Sequence, residues 1–449
     1  MTGAMPIVVA LIGILFLLFL VIRVKLQAFV ALLLVSVLAG IAAGMPLINV
    51  LDSIKKGMGE TLGFVAVVVG LGAMLGQMLE VSGGVERLAQ ELLKKFGEAK
   101  AQWALALTGF IVAIPIFFDV GFIIIVPLVH GLARKTGRSL LYYGIPLVVG
   151  LAVTHAFVPP TPGPIAVAEL LHADLGWVIL FGVVAGIPAT IIAGPLFARY
   201  IAQRIHVTVP DYFQVENPRL VHAKDLPSFG TVAGIIFIPL LLIILNTVSS
   251  AWLEPGAARS FLAFVGHPFV ALIIATLLAF YLLGARRGYS REEMQKIATK
   301  ALEPAGIIIL VTGAGGVFKQ VLIDSGVGKV LGEMMAASAL PPIVLAFIAA
   351  AIIRIAQGSA TVAMITAAGI ISPVVTNLEM HGAALGLMVV AIAAGASIMS
   401  HVNDSGFWLI NRYFGLSEKD TLRSWTVAVT LMSLVGFLVV FVLALFIAT

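Results

Sequence analysis

Two stretches, THAFVPPTPGP at residues 154–164 and SHVNDSGFW at residues 400–408, decide how this chain folds. Each follows a long apolar run and combines a Ser/Thr-His pair with Gly or Pro. Hydrocarbon cannot hydrogen-bond a broken backbone, so such segments occur at membrane depth only where they line a protein-enclosed cavity. Ionisable groups held there are candidates for a functional site. Because each half of the chain contains one such stretch, we predict that both face a common cavity.

The composition is that of a polytopic membrane protein. Of 449 residues, 61% are hydrophobic and 11% are charged, whereas soluble proteins carry about 25% charged residues. The net charge of +5 comes from basic residues in loops between apolar runs, which indicates cytoplasmic loop bias and argues against nucleic-acid binding. The absence of cysteine excludes disulfides, thiol catalysis and cysteine-ligated metals.

Apolar runs fall into two sets of six, separated by one long polar stretch. A membrane-spanning helix needs about 20 apolar residues. We therefore predict two repeats, residues 1–198 and 229–449, joined by a polar cytoplasmic linker at 199–228. No basic residue precedes the first run, so it is interpreted as a membrane helix rather than a signal peptide. The runs lie at 5–22, 27–44, 57–82, 101–133, 141–170 and 176–198, and at 229–249, 261–283, 303–324, 340–375, 383–413 and 425–448.

Weak sequence repetition and charge placement predict how the halves are inserted. Placing Gly70 on Gly313 aligns several further residues, which indicates an internal duplication. Lys and Arg collect on cytoplasmic flanks, and they occupy complementary gaps in the two halves. This fits only if the runs at 101–133 and 340–375 are re-entrant hairpins. Each half then has five crossings plus one hairpin, so the halves are inverted. The runs at 141–170 and 383–413 are predicted to be broken helices.

The first hairpin tip is predicted at IPIFFDVGF, residues 114–122, where Pro115 and Gly121 flank Asp119. A lone carboxylate at membrane depth costs about 2.5–3.5 kcal/mol on insertion scales. Asp119 is therefore interpreted as a proton carrier or a ligand of substrate hydroxyl groups, with Gly121 beside it in the predicted binding site. The alternative is that Asp119 only caps the next half-helix.

The second tip is predicted at RIAQGSATVA, residues 354–363. Hydroxyl and amide groups at a helix start, together with the positive end of the helix dipole, suit an anionic substrate. The guanidinium of Arg354 can bind a substrate carboxylate bidentately, or can instead snorkel to the membrane surface or hold the carboxylate of Asp119 or Asp404. The predicted substrate-binding residues at this tip are Arg354, Gln357, Gly358, Ser359 and Thr361.

The two broken helices add histidines and a second carboxylate. Repeated X-Pro bonds prevent a continuous helix in the first break, and Gly163 allows a ligand to approach the backbone. His155 and His401 are candidates for substrate binding and proton coupling, because histidine titrates near neutral pH. A buried, hydrogen-bonded structural histidine is the alternative for each. The remaining candidates are Thr161 and Asn403 for substrate and Asp404 for the proton.

Motifs of enzymes and metal sites are absent from the sequence. It contains no HExxH, GxSxG, Walker loop or paired-carboxylate metal motif. We therefore predict that the chain is not an enzyme and needs no metal or cofactor. Inverted repeats with interrupted helices are instead the design of secondary transporters, which bind substrate near the middle of the bilayer.

Several motifs together resemble the gluconate permease family, and the resemblance covers essentially the whole chain. They are FFDVGF, THAFVPPTPGP, GAGGVFKQVLIDSGV at residues 313–327, RIAQGSATVA and SHVNDSGFW. The resemblance implies an anion transporter with inverted repeats and opposed re-entrant hairpins. It also implies an elevator mechanism, in which a transport domain moves across the membrane relative to a scaffold, and usually a homodimer.

The hypothesis from sequence is a multi-pass bacterial inner-membrane symporter that imports gluconate or a related sugar acid with protons. The substrate carboxylate would meet Ser359, Thr361 and Thr161, and its hydroxyl groups would meet other polar residues of the tips and breaks. Asp119 or Asp404 would carry the proton, with a histidine assisting. A sodium-coupled or exchange transporter of another small hydroxycarboxylate, such as glycerate or a hydroxy amino acid, remains the alternative.

Overall fold

The computed structural model describes residues 12–13, 15–17, 19–20, 23–210, 226–326 and 340–447, and the regular structure in these ranges is entirely helical. Eight helical segments in these ranges are long and apolar enough to cross a membrane. The predicted all-α polytopic fold is therefore confirmed. The predicted first helix lies largely outside the described residues, as does the middle of the predicted linker, 211–225.

The helices are numbered here in chain order over the described residues. Three of them continue into a π-helical turn, and neither these turns nor short 3₁₀ turns are numbered separately. The helices are α1 Ala28–Ala42, α2 Leu47–Val81, α3 Gly84–Phe96, α4 Ala101–Val112, α5 Phe118–Thr136, α6 Leu140–Phe157, α7 Pro162–Leu171, α8 Leu175–Ile191, α9 Phe197–Ala202, α10 Phe229–Trp252, α11 Ala257–Val265, α12 Pro268–Ala279, α13 Arg291–Asp324, α14 Pro342–Gln357, α15 Ala360–Asn377, α16 Ala383–Gly395, α17 Ser405–Phe414, α18 Glu418–Thr421 and α19 Val427–Ala444.

The two longest helices, α2 and α13, pack against each other at a glycine contact. A Cβ added at Gly57 would lie 2.5 Å from the carbonyl oxygen of Gly316, so only glycine allows this approach. Both helices begin well before the apolar runs that predicted them. In α13 the extra turns start at a capping box in which Ser290 and Glu293 satisfy each other's backbone N–H groups. The apolar runs underestimate the length of these helices, because hydropathy does not detect polar helical turns. Lys and Glu nevertheless form helix readily.

Four interruptions of the helices position the site. The chain leaves the helical path at 113–117, at 158–161, at Gly358 and Ser359, and at 396–404. Consecutive prolines supply no backbone N–H at 159–160, and Gly358 adopts the left-handed region with a φ of +86°. These interruptions fall inside the four stretches in which the sequence predicts tips and breaks. The inverted insertion of the halves and their re-entrant hairpins stay predictions.

A short amphipathic helix, α3, follows α2 after a left-handed glycine, Gly83. Val85, Leu88 and Leu92 are buried on one face, and Lys94 and Lys95 occupy the last turn. The positive-inside rule predicts a cytoplasmic flank at these lysines, and this orientation stays a prediction. This helix packs against α5 and so lies beside the first interruption.

Candidate functional site

The four interruptions surround one open cavity of about 840 Å³. This volume falls within the range of roughly 300–1,000 Å³ that is typical of small-molecule sites. The lining includes apolar side chains of α13 and α19 as well as a concentration of polar groups. The polar lining residues are Asp119, His155, Arg354, Gln357, Ser359, Thr361, Ser397, Ser400, Asn403, Asp404 and Ser405.

Four helices begin at this cavity. The second residues of α5, α7, α15 and α17 are Asp119, Gly163, Thr361 and Gly406, and all four line it. The first N–H groups of a helix have no partner within the helix, and the helix dipole places partial positive charge there. The cavity is therefore electrostatically suited to a small anion.

A buried ion pair joins the second tip to the second break. Nη2 of Arg354 lies 2.5 Å from Oδ2 of Asp404, and the side chains are only 5% and 14% exposed. The hydroxyl of Ser400 donates to the same carboxylate oxygen, and the N–H of Gly406 donates to Oδ1 at 3.1 Å. Asp404 thus caps the start of α17 and serves as the counter-ion of Arg354.

Arg354 has donor capacity that the protein leaves unused. Its Nε and Nη1 atoms are buried and have no hydrogen-bond partner among the described residues. Leaving a buried charged donor unsatisfied costs more than about 1–3 kcal/mol. Arg354 lines the cavity, so a guanidinium with unpartnered nitrogens belongs to the cavity wall.

The beginning of the last long helical segment holds the second break in place. Nε1 of Trp425 donates to Oγ of Ser400 at 2.8 Å, and the hydroxyl of Thr426 donates to the Ser400 carbonyl. The hydroxyl of Ser400 in turn donates to the carboxylate of Asp404, so these contacts also fix the position of that carboxylate. Trp425 and Ser397 also line the cavity, yet neither is predicted from the sequence. No local motif marks Trp425, because it lies well beyond the SHVNDSGFW stretch in the chain and reaches it only in space.

The side chains of His401 and Asn403 cap the C-terminal end of α14. Nε2 of His401 and Nδ2 of Asn403 each lie 3.0 Å from the carbonyl oxygen of Ile355, in the last turn of that helix. The last carbonyls of a helix have no partner within it, so these contacts supply one. A Cβ added at Gly358 would lie 2.2 Å from the Asn403 carbonyl oxygen, and Gly358 has a positive φ. The second tip and the second break therefore form one unit.

Three predicted site residues lie outside the cavity lining. The hydroxyl of Thr161 is buried and donates to the Val158 carbonyl at 2.7 Å, inside its own break. Gly121 is buried where a Cβ would lie 2.9 Å from Leu151. His401 is the third, because its ring contacts the end of α14. The structure brings all the other predicted residues together at the cavity: Asp119, His155, Gly163, Arg354, Gln357, Gly358, Ser359, Thr361, Asn403 and Asp404.

Asp119 and His155 are two further polar residues of the cavity lining, both from the first half of the chain. The Asp119 side chain is exposed to the cavity and makes no ion pair or hydrogen bond within the described ranges. The His155 ring lies edge-on to Phe117, with ring centres 6.1 Å apart, and its Nδ1 has no partner among the described residues. The two side chains are within electrostatic range of each other. Asp119 is thus the carboxylate of the cavity lining that has no partner among the described residues.

The fold and the site define a polytopic membrane transporter. A solved structure of the YdaH transporter from Alcanivorax borkumensis has a similar fold, with a TM-score of 0.63, 16% identity and 87% of each chain covered. A family model described as GntP family permease matches residues 5–446. The chain therefore belongs to the GntP permease family, as the sequence motifs predicted. It is a permease rather than an enzyme, and a multi-pass protein of the bacterial inner membrane.

Two relatives in Escherichia coli K12 match over nearly their full length. The low-affinity gluconate transporter is 43% identical over 440 residues, which cover 98% of each chain. The Gnt-II system L-idonate transporter is 41% identical over 435 residues, which cover 97% of this chain and 98% of the relative. These names describe the relatives, and both refer to sugar acids.

Proposed function

We propose that this permease imports gluconate or a closely related sugar acid together with protons. The observation that carries the proposal is the buried guanidinium of Arg354, which has two nitrogens without a partner among the described residues and belongs to the wall of a cavity where four helices begin. A sugar acid combines one carboxylate with a chain of hydroxyl groups, and this cavity offers complementary groups for both. The names of the two relatives support the same substrate class.

The substrate carboxylate binds Arg354 and the start of α15. Nη1 of Arg354 donates to a carboxylate oxygen, while Nη2 keeps its contact with Asp404. Ser359 caps α15 and Thr361 is its second residue, so their hydroxyl groups and the nearby N–H groups add donors. Thr161 has no part in this contact, because its hydroxyl is used within its own break.

The hydroxyl groups of the substrate meet the remaining polar side chains of the cavity. Gln357 and Asn403 present amide groups, and Asp119 and His155 present groups that accept or donate. Apolar side chains line the cavity as well and contact the carbon chain of the sugar acid. They include Met364, Ile307 and Ile308. This division of polar and apolar surface favours a polyhydroxylated acid over a purely apolar one.

Asp119 carries the coupled proton. Asp404 is occupied by donors from Arg354, Ser400 and Gly406, so it acts as a fixed counter-ion. An ionised Asp119 repels the incoming carboxylate, whereas a protonated Asp119 removes that repulsion and donates a hydrogen bond to a substrate hydroxyl. Like charges about 6 Å apart repel by about 3 kcal/mol at an effective dielectric constant of about 20. Proton and anion therefore bind together.

Transport follows an elevator movement in this proposal. The tips and breaks that form the site move with their helices relative to the long helices α2 and α13. Glycines at the α2 surface support such sliding, because Gly72 and Gly76 present no side chain to the two interruptions of the first half. A homodimer embedded in the lipid bilayer would supply the stationary scaffold.

Uptake into proteoliposomes tests the proposed function. Purified protein is reconstituted, and accumulation of gluconate, idonate, glycerate and serine is measured with and without an inward proton gradient. We expect saturable accumulation of gluconate or idonate that rises with the gradient and persists when choline replaces sodium. Accumulation that needs sodium, or that favours glycerate or serine, would replace this proposal with the sodium-coupled or hydroxycarboxylate alternative.

A further inference from the structure

A carboxyl group outside the cavity lies within electrostatic range of Asp119. Glu80 is in the last turn of α2, half-buried, and its Oε2 accepts a hydrogen bond from Nε2 of Gln77 at 3.0 Å. Ionisable groups within membrane spans are costly and are functional candidates for that reason. Glu80 does not line the cavity, so substrate binding does not explain why a carboxyl group lies at this position.

One face of α2 aligns Glu80 with the interruptions of the first half. Gly72, Gly76 and Glu80 are spaced four residues apart and so share this face. A Cβ added at Gly72 would lie 3.6 Å from the Pro160 carbonyl oxygen, and one added at Gly76 would lie 2.1 Å from that of Pro115. Glu80 follows one turn later, near the start of α5, and its carboxylate is within electrostatic range of Asp119.

After Asp119 and Glu80, a third carboxyl group lies closer to the predicted cytoplasmic flank. Glu86 lies in the first turn of α3, within electrostatic range of Glu80, and its Oε2 has no partner among the described residues. The last turn of α3 carries the lysines that the positive-inside rule assigns to the cytoplasm. The other charged group that acts on Glu80 is Lys300 of α13.

We propose that Glu80 relays the coupled proton from Asp119 to Glu86 and so to the cytoplasm. The carboxylic acid of Asp119 gives up its O–H proton to the Glu80 carboxylate, directly or through water, and becomes a carboxylate. Glu80 then passes the proton to the carboxylate of Glu86, which releases it to water. Lys300 stabilises the charge of Glu80 after the proton has left. The inference rests on the proposed proton symport.

Exchange and net uptake separate the relay from the rest of the transport cycle. Counterflow of external labelled gluconate against internal gluconate needs substrate binding and domain movement but no net proton transfer. In Glu80→Gln, we expect counterflow within about twofold of the unchanged protein and gradient-driven accumulation lower by about tenfold or more, a loss on the scale of one proton-transfer group. Glu80→Asp restores part of the accumulation, because it restores a carboxyl group.

A matched control and a direct proton signal complete the test. Glu98→Gln removes an exposed carboxylate that pairs with Lys135 at the surface, and it should leave both assays unchanged. A pH dye trapped inside should report gluconate-driven acidification for the control and not for Glu80→Gln. Full accumulation by Glu80→Gln, or a loss of counterflow equal to its loss of accumulation, would overturn the relay. Failure of the unchanged protein to respond to a proton gradient would instead overturn the proposed function.

Discussion

Replacement of Arg354 by lysine tests the carboxylate site most sharply. Lysine keeps the positive charge opposite Asp404 but removes Nε and Nη1, the guanidinium nitrogens that have no partner among the described residues. The Arg354 side chain is only 5% exposed, so the lost contact is a desolvated, charge-assisted hydrogen bond. Such a bond contributes about 1.5–3 kcal/mol, which predicts roughly 10- to 150-fold weaker gluconate binding.

Equilibrium binding of labelled gluconate to the purified variant measures this effect without transport. Arg138→Lys is the matched control, because Arg138 lies 4.5 Å over the ring of Tyr142, away from the cavity, and should bind gluconate with unchanged affinity. A second measurement with glucitol, which has an alcohol in place of the carboxylate, should show no difference between the variants. Wild-type affinity in a well-folded Arg354→Lys protein would refute the assignment of the carboxylate.

Three further perturbations have defined outcomes. Asp404→Asn leaves Arg354 without its counter-ion and should lower the free energy of unfolding by about 3–5 kcal/mol. A lower thermal midpoint measures this loss, and an unchanged midpoint would argue against Asp404 as the counter-ion. Gly358→Ala should destabilise more than Gly382→Ala, because both positions have positive φ but only the first meets a carbonyl oxygen at 2.2 Å; equal losses in thermal unfolding would contradict this. Burial raises the pKa of Glu86, so its ionisation destabilises the folded state once the pH rises above the ordinary value of 4.5. Glu86→Gln should therefore raise the thermal midpoint at about pH 8 and leave it unchanged at about pH 4. A rise at about pH 4 and none at about pH 8 would contradict this prediction.

The local chemistry of the sequence predicted where the helices are interrupted. Proline-rich residues 158–161 cannot continue a helix, and glycine followed by serine at 358–359 ends one helix and caps the next. Charge at membrane depth then singled out Asp119, Arg354 and Asp404, which the structure places at one cavity. The sequence can point to these features because each depends on a residue and its immediate neighbours.

Other features depend on contacts between distant segments. His401 was a candidate for substrate binding, yet its ring faces a carbonyl of α14, a partner 46 residues away. Trp425 had no assigned role, although it orients Ser400 beside the ion pair. The proposed role of Glu80 likewise depends on the contacts of the glycine face of α2 with the interruptions. A single sequence contains no signal for the direction in which such side chains point.

Protection of a single cysteine tests the central claim that gluconate occupies this cavity. The chain has no cysteine, so Ala360→Cys introduces one thiol at the cavity wall and Ser250→Cys introduces one at an exposed position outside it. Gluconate should slow maleimide labelling of Ala360→Cys, while glucitol should not, and neither should affect Ser250→Cys. Labelling of Ala360→Cys at the same rate with and without saturating gluconate would contradict the account.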